Sequence, residues 1–357
     1  MIEIIPKIIG YTFFKHFHFP KLLPMNFTFS LLYTCNSKCK TCNVYKKKAE
    51  NLSLQEYEKI FTNIGKAPYW VTLSGGEPFL RKDLADICYL LYQKCKPKII
   101  NIPTNGIKTD FICEQVKKIA EMCPKSRIVI NLSIDGIGKM HDDIRRVPGN
   151  YEMVLATYHK LRALQYKNLA IGIHTVISNY NVDKFVFVAN SLLALNPDSF
   201  ITEIAEERVE LDTIGEKITP NLLAYQSAVD FLIHRIKQQK FNGMNKITQA
   251  FRIEYYQMVK RILYLKKQVI PCYSGIASVH ISPDGDVWSC CIKAKRMGNL
   301  REQSFKKIWW NKEFAAERKS IAKKECYCPL ANASYTNMLM HFPTLFRVLV
   351  RLFYWKR

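Results

Sequence analysis

Three cysteines, Cys35, Cys39 and Cys42, stand in a C-x3-C-x2-C arrangement within eight residues. Thiolates so close along one loop can wrap one face of an iron–sulfur cube. No fourth cysteine lies nearby, so one iron keeps an open position, and open coordination marks a catalytic rather than a structural metal centre. A zinc knot is the alternative. Zinc sites, however, pair two C-x2-C units or add histidines, and no histidine lies between Pro20 and Leu80. A second set follows far downstream: Cys272, Cys290, Cys291, Cys326 and Cys328. There the string Ile281-Ser-Pro-Asp-Gly285-Asp-Val-Trp-Ser-Cys290 reads as a hairpin that delivers a thiolate. The remaining cysteines read as structural. Cys88 and Cys95 share one helix face, Cys113 and Cys123 end another helical stretch, and free cysteine is a small buried hydrophobe.

A second element strengthens the first cluster. Ser74-Gly75-Gly76-Glu77-Pro78 ends the next strand-like run. The two motifs in this order resemble the radical S-adenosylmethionine (SAM) superfamily, whose cluster motif C-x3-C-x-φ-C precedes a Gly-Gly-Glu-Pro turn. One departure is Thr41, where the family usually has an aromatic residue; this weakens packing without removing a ligand. The resemblance implies a [4Fe–4S] cluster on Cys35, Cys39 and Cys42, with the amino and carboxylate groups of SAM on the open iron. Gly75 and Gly76 would let backbone approach the methionine amine, because no Cβ intrudes. Glu77 would accept a hydrogen bond from it. Thr104 and Asn105, and then Ser133, close the third and fourth strand runs and would meet the ribose and the carboxylate. His141-Asp-Asp-Ile-Arg145-Arg146 looks like the family's H-D-x-x-R-G segment, with Arg146 in place of Gly. Arg145 is the candidate carboxylate clamp, its alternative being a surface salt bridge with Asp142 or Asp143. Val176, on the fifth strand, would pack on adenine or simply in the core. Downstream, twelve residues separate Cys272 from Gly285, four separate Gly285 from Cys290, and Gly298-Asn-Leu300 and Ile308-Trp309 follow. That pattern resembles the auxiliary-cluster extensions called SPASM and twitch domains. With five cysteines left, the shorter twitch form with one auxiliary [4Fe–4S] cluster fits better, on Cys272, Cys290, Cys326 and Cys328, with Cys291 spare. Zinc is the alternative here too.

The elements that must position these groups are legible around them. Strand-like runs read Asn26–Tyr33, Tyr69–Ser74, Lys98–Pro103, Arg127–Ser133, Asn168–Ser178 and Ser199–Ile204. Helical spacing lies between them, as in Leu54–Ile64, opened by a capping box of Ser53 and Glu56, and in Leu84, Ile87, Cys88 and Leu91. Alternation of this kind argues for βα units and a parallel sheet, in a barrel or an open wound form. The resemblance implies the former, a partial (β/α)6 TIM-type barrel with ligand groups at the carboxyl ends of its strands. The divisions read as a basic amphipathic segment over 1–24, the barrel over 25–210, and a helical linker over 211–270. A small cysteine-rich SPASM/twitch-like unit at 271–333 and a basic tail at 334–357 complete the chain.

The chain has 357 residues, 48% hydrophobic content and a formal net charge of +23. It is large enough for one big core plus a smaller unit. The charge points to an anionic partner or to a lysine-rich solvated surface. The opening residues carry no secretory pattern, so twelve cysteines argue for metal or chemistry rather than disulfides. No run of 18 apolar residues offers a membrane span. A cytoplasmic protein is expected, at most peripheral to a membrane.

Function follows from the resemblance. Reductive cleavage of SAM would give a 5′-deoxyadenosyl radical that takes hydrogen from unactivated carbon, with electrons from a flavodoxin or ferredoxin. Only some 25 residues precede the first strand run, too few for a peptide-recognition unit, which points to a small or lipid-linked substrate. A peptide- or protein-modifying maturase is the alternative within the superfamily. A basic zinc-binding nucleic-acid protein is the alternative outside it, and no basic platform interleaved with aromatics supports nucleic-acid binding. The acidic stretch Glu203, Glu206, Glu207, Arg208 and Glu210 either faces substrate or forms a solvated loop. Finally, a helix over Leu345–Arg357, capped by Thr344 because Pro343 blocks helix before it, would turn Arg347 and Arg351 toward an anionic membrane or dock on the barrel.

Overall fold

The computed structural model describes residues 4–355, so Lys356 and Arg357 of the expected basic tail lie outside the described residues, as does the start of the expected N-terminal segment. Six strands, β1 (Asn26–Ser30), β2 (Trp70–Ser74), β3 (Ile99–Thr104), β4 (Arg127–Ser133), β5 (Leu169–Ile177) and β6 (Ser199–Ile204), pair parallel in chain order. Helices join them: α2 (Leu54–Ile64), α3 (Leu84–Cys95), α4 (Thr109–Met122), the pair α5 (Lys139–Arg145) and α6 (Asn150–Arg162), and α7 (Phe185–Ala194); α1 (Ile5–Phe17) precedes the sheet. A wound sheet would reverse its strand order at a switch point. Sequential order belongs to the barrel.

Residue alternation separates the two faces of this sheet. Val71, Leu73, Ile100, Ile102, Ile128, Ile130 and Leu132 are fully buried and share one core with Phe61, Ile87, Leu91 and Val116 of the covering helices. The opposite face is polar: Asn131 Nδ2 donates to Asn101 Oδ1 (2.7 Å), and Asn101 Nδ2 to Thr72 Oγ1 (3.3 Å). Gly172 sits in register between Asn131 and Ser199, where a Cβ would lie 2.3 Å from Asn131 Oδ1 and 2.4 Å from Ser199 Oγ. Both bonds of the expected capping box at Ser53 and Glu56 are made. Cys88, Cys95 and Cys123 are buried and Cys113 is half-buried.

The linker region forms α8 (Leu222–Gln238) and α9 (Gly243–Leu265). Beyond it, β7 (Ser278–Ile281) pairs parallel with β1, and β8 (Asp286–Trp288) and β9 (Arg296–Asn299) follow antiparallel. The cysteine-rich segment thus prolongs the barrel sheet past β1. Four helices close the chain: α10 (Phe305–Trp309), α11 (Lys312–Ala322), α12 (Ala331–Leu339) and α13 (Phe342–Tyr354).

The last helix departs from its sequence expectation twice. It starts at Phe342, with His341 at the cap, and Pro343 lies inside the first turn. Proline is tolerated there because that N–H has no partner in a helix anyway. Thr344 is therefore buried within the helix, its Oγ1 2.8 Å from His341 Nδ1. Arg347 and Arg351 do not face outward as a pair. Each puts a nitrogen 2.7 Å from a carboxylate oxygen of Glu254 on α9, itself buried. Among the described residues no helix is long and apolar enough to cross a membrane.

Candidate active site

The loop after β1 is held from three sides, two of them through backbone and the third through an amide side chain. Gly76 N donates to Leu32 O (2.7 Å) and Glu77 N to Thr34 O (3.0 Å), so the turn after β2 is hydrogen-bonded alongside the cysteine loop. A Cβ on Gly75 would lie 2.3 Å from Leu32 O, and one on Gly76 2.1 Å from Thr34 O. The close approach that requires glycine here is to the chain's own loop. From β3, Asn105 Nδ2 donates to Asn36 Oδ1 (2.7 Å) and Ser37 Oγ (3.1 Å). From α5, Ile144 O accepts from Lys40 N (2.9 Å) and Arg145 O from Lys38 N (3.3 Å).

Cys35, Cys39 and Cys42 project from this pinned loop. Burial pushes their thiols up, Cys35 to about 11 and Cys42 to about 12, and each is raised further by a neighbouring cysteine or carboxylate. Three mutually coupled, desolvated thiols can be deprotonated together only against a compensating cation, which is what an iron–sulfur cluster supplies. Arg145 Nη1 lies 3.6 Å from Cys39 Sγ, and its Nη2 2.7 Å from Asp135 Oδ2. Burial works against the guanidinium charge, but Asp135 and the Cys39 and Cys35 thiols outweigh it. The anticipated surface pairs are absent: Asp143 pairs with Lys139 and Asp142 accepts from Gly149 N and Tyr151 N.

The other strand-end residues gather beside the loop. Glu77 is buried, with Oε1 accepting from Phe79 N (3.1 Å) and Thr104 Oγ1 (2.8 Å) and Oε2 from Asn105 N (2.8 Å). Burial raises it to about 7 although all three donors oppose the shift. Its carboxylate thus splices the β2 turn to the end of β3. Thr104 and Asn105 are buried, Ser133 and Val176 half-buried, and Val176 N donates to Asp135 Oδ1 (2.9 Å). His141 carried no signal beyond opening its quoted segment, and Asp135 none beyond following Ser133 at the end of the fourth strand run. His141 Nδ1 accepts from Asp135 N (3.1 Å), which leaves the proton on Nε2 for Asn150 Oδ1 (3.1 Å). Burial lowers this imidazole to about 4, so it is a neutral positioning group.

The second cysteine set divides. Cys290 feels the charge of Cys272 and Cys326, and Cys328 that of Cys272 and Cys290. A cavity of about 40 Å³ is lined by Cys272, Cys326 and Cys328 with Met258 and Ile262. Three of the four nominated cysteines thus line one cavity and Cys290 lies within electrostatic reach of them, a donor set whose chemistry fits an iron–sulfur cluster. Cys291, one residue on, faces elsewhere, toward Arg208 and Glu210. Its sulfur and the ligand atoms of Glu210 and His280 lie within 4.8 Å of one another. Glu210 Oε1 is 3.2 Å from His280 Nε2, and Ser30 Oγ is 2.9 Å from that same nitrogen. The acidic stretch is thus not a solvated loop: Glu206 and Glu210 are buried, and Arg208 Nη2 lies 3.2 Å from Glu206. Burial pushes Glu206 up to about 7, whereas His280 and Arg208 overcome burial and hold Glu210 at about 2. His280 had no motif to reveal it.

Comparison with known proteins agrees with this layout. The radical SAM superfamily model matches residues 29–192, and the SPASM iron–sulfur cluster-binding domain matches residues 272–329. The chain is 23% identical over 302 residues to the antilisterial bacteriocin subtilosin biosynthesis protein AlbA of Bacillus subtilis, covering 80% of this chain and 60% of that protein. It is 24% identical over 298 residues to the Fe-coproporphyrin III synthase of Methanosarcina barkeri, covering 77% and 71%. The crystal structure of Streptococcus suis SuiB bound to SAM shares the fold, with TM-score 0.61 and 14% identity over 83% of this chain and 68% of that one. The chain belongs to the radical SAM superfamily, a class of enzymes that carry a [4Fe–4S] cluster and SAM. Within it, the chain is of the SPASM-bearing kind, with an auxiliary iron–sulfur cluster-binding domain.

Proposed function

We propose that this chain reductively cleaves SAM and uses the resulting 5′-deoxyadenosyl radical to take hydrogen from substrate carbon. The observation that carries the reading is the cysteine loop after β1, tied by backbone to the β2 turn and α5 and by the Asn105 amide to the β3 end. When bound, a [4Fe–4S] cluster on Cys35, Cys39 and Cys42 supplies the electron, and SAM supplies the radical. The protein's part is to bind, orient and exclude water. With SAM bound, Gly75, Gly76, Thr104, Asn105 and Ser133 would line the methionine and ribose side, Val176 the adenine side, and Arg145 would meet the carboxylate. Glu77 acts as a positioning residue, because both of its oxygens already take protein donors. Cys272, Cys290, Cys326 and Cys328 hold an auxiliary cluster.

The substrate is a small or lipid-linked metabolite. A peptide is the second reading, favoured by the likeness to AlbA and by the fold shared with SuiB, also seen bound to precursor peptide SuiA. A flavodoxin or ferredoxin provides electrons, and peripheral contact with an anionic membrane brings the enzyme to a lipid-linked substrate. Anaerobic incubation of the reconstituted enzyme with dithionite and SAM tests the chemistry. 5′-Deoxyadenosine should form, and its absence would overturn the reading.

A further inference from the structure

Two helices turn an apolar face outward. On α1, Ile8, Tyr11 and Phe14 are buried against Tyr273, Ile276 and Met340. Its outer face repeats an apolar residue every turn: Ile5, Ile9, Phe13 and Phe17 are 53%, 47%, 51% and 70% exposed. On α13, Val348 and Thr344 are buried and both arginines reach back to Glu254. Phe342, Phe346, Leu349 and Phe353 stand 57%, 67%, 63% and 84% exposed on the other side. A surface helix normally turns its charges outward and its apolar stripe inward. Contiguous exposed apolar area of this kind marks an interaction surface.

The inner face of α1 and the residue that leads into α13 pack on one side chain, Tyr273. Lys15 of α1 places Nζ 4.2 Å from the centre of the Tyr273 ring, and Tyr273 Oη is 3.5 Å from Met340 O, two residues before α13 begins. Charge chooses the occupant. Neither Ile5–Phe17 nor Phe342–Tyr354 contains an acidic residue, exposed His16, His18 and Lys21 lie at the end of α1, and the chain carries +23. A second copy would bring like charge to like charge. An anionic bilayer offers both an apolar interior and a complementary surface. Each helix is 13 residues, about 20 Å long, which suits lying in the interface and not crossing it.

Resting on the peripheral-membrane reading above, we propose that α1 and α13 form one lipid-facing surface whose outward aromatic and aliphatic side chains enter the headgroup region. Arg347 and Arg351 are internal ties to Glu254 and not the lipid contacts. The anchoring is therefore mainly apolar, with electrostatics recruiting the enzyme to the surface.

The test is sedimentation of the full-length, cluster-loaded enzyme with vesicles of phosphatidylcholine containing about one third phosphatidylglycerol. Wild type should bind. Phe346→Glu with Phe353→Glu, and separately Phe13→Glu with Phe17→Glu, should each weaken partitioning roughly tenfold or more, with SAM cleavage unchanged as proof of folding. Arg351→Gln should change partitioning less than about twofold, since it removes an internal tie. If wild type ignores the vesicles at low salt, the peripheral reading falls and this proposal with it. If wild type binds but both glutamate pairs bind equally well, the peripheral reading stands and the two-helix surface is wrong. If wild type is dimeric in solution and the glutamate pairs make it monomeric without lipid binding, the surface belongs to a second copy.

Discussion

The molecule has two cysteine sites, and they are built in opposite ways. The first takes three thiols from one loop, which three neighbouring elements hold by backbone and amide bonds. The second draws Cys272, Cys290, Cys326 and Cys328 from separate stretches that meet only when β7, β8 and the helices around them have folded. A local motif carries its geometry in its spacing. A dispersed one depends on tertiary packing, so its neighbours, not its spacing, separate ligand from bystander.

The sharpest way to break that contrast lies at the adjacent pair. Cys290→Ala should lose the auxiliary iron, roughly four atoms per chain, whereas Cys291→Ala should keep it, because Cys291 faces Glu210 and Arg208. Iron and sulfide analysis of the two variants reads the difference, and the reverse outcome would exchange their roles.

At the first site the splice through Glu77 can be probed. Glu77→Gln sets an amide where three donors converge, leaving at least one buried N–H facing N–H₂. The expected loss is about 1–3 kcal/mol of stability, measured by denaturant unfolding, with reductive SAM cleavage falling as the turn loosens. An unchanged midpoint would show that the carboxylate is dispensable.

A smaller effect ties the two regions together. Arg301, just past β9, lies 2.6 Å from Glu56 on α2 and, with the Ser53 cap, lowers its carboxyl to about 2 from an ordinary 4.5. A depressed acid stabilises above its unfolded value and ceases to do so as pH falls through its folded one. Wild type should therefore lose stability between about pH 4.5 and 2 that Glu56→Gln lacks from the start, about 0.5–1 kcal/mol after solvent screening. Parallel pH profiles of the two proteins would contradict the tie.

The smallest expected change concerns Arg146, which occupies the left-handed conformation at φ 53° ending α5, where the superfamily pattern has glycine. Arg146→Gly should stabilise by about 0.5–1 kcal/mol, because glycine adopts that conformation without a Cβ penalty. A lower thermal midpoint would mean that the arginine side chain makes a contact worth more than the strain.

Much of this was readable before the fold was known. The six parallel strands and α2 came from alternation, periodicity and a capping box, all local signals. The βα rhythm left a barrel and a wound sheet open, and the family resemblance pointed to the barrel whose sequential pairing the sheet has. The failures were contacts across long stretches of chain. Arg347 and Arg351 read as lipid-facing because Glu254, nearly a hundred residues earlier, gave no hint that it would take both. Thr344 read as a cap because a proline usually ends helices, yet Pro343 sits in the one turn that tolerates it. The burial of Glu206 and Glu210 depends on His280 and Arg208 converging from β7 and the loop after β6. Alternation places such residues on a face but cannot say what comes to meet them.

The central claim rests on the first site and is tested by replacing Cys35, Cys39 and Cys42 together with alanine. Wild type, reconstituted anaerobically, should hold about eight irons and form 5′-deoxyadenosine from SAM under reduction. The triple variant should keep about four irons, those of the auxiliary site, and form no 5′-deoxyadenosine. A triple variant that still cleaves SAM would contradict the account.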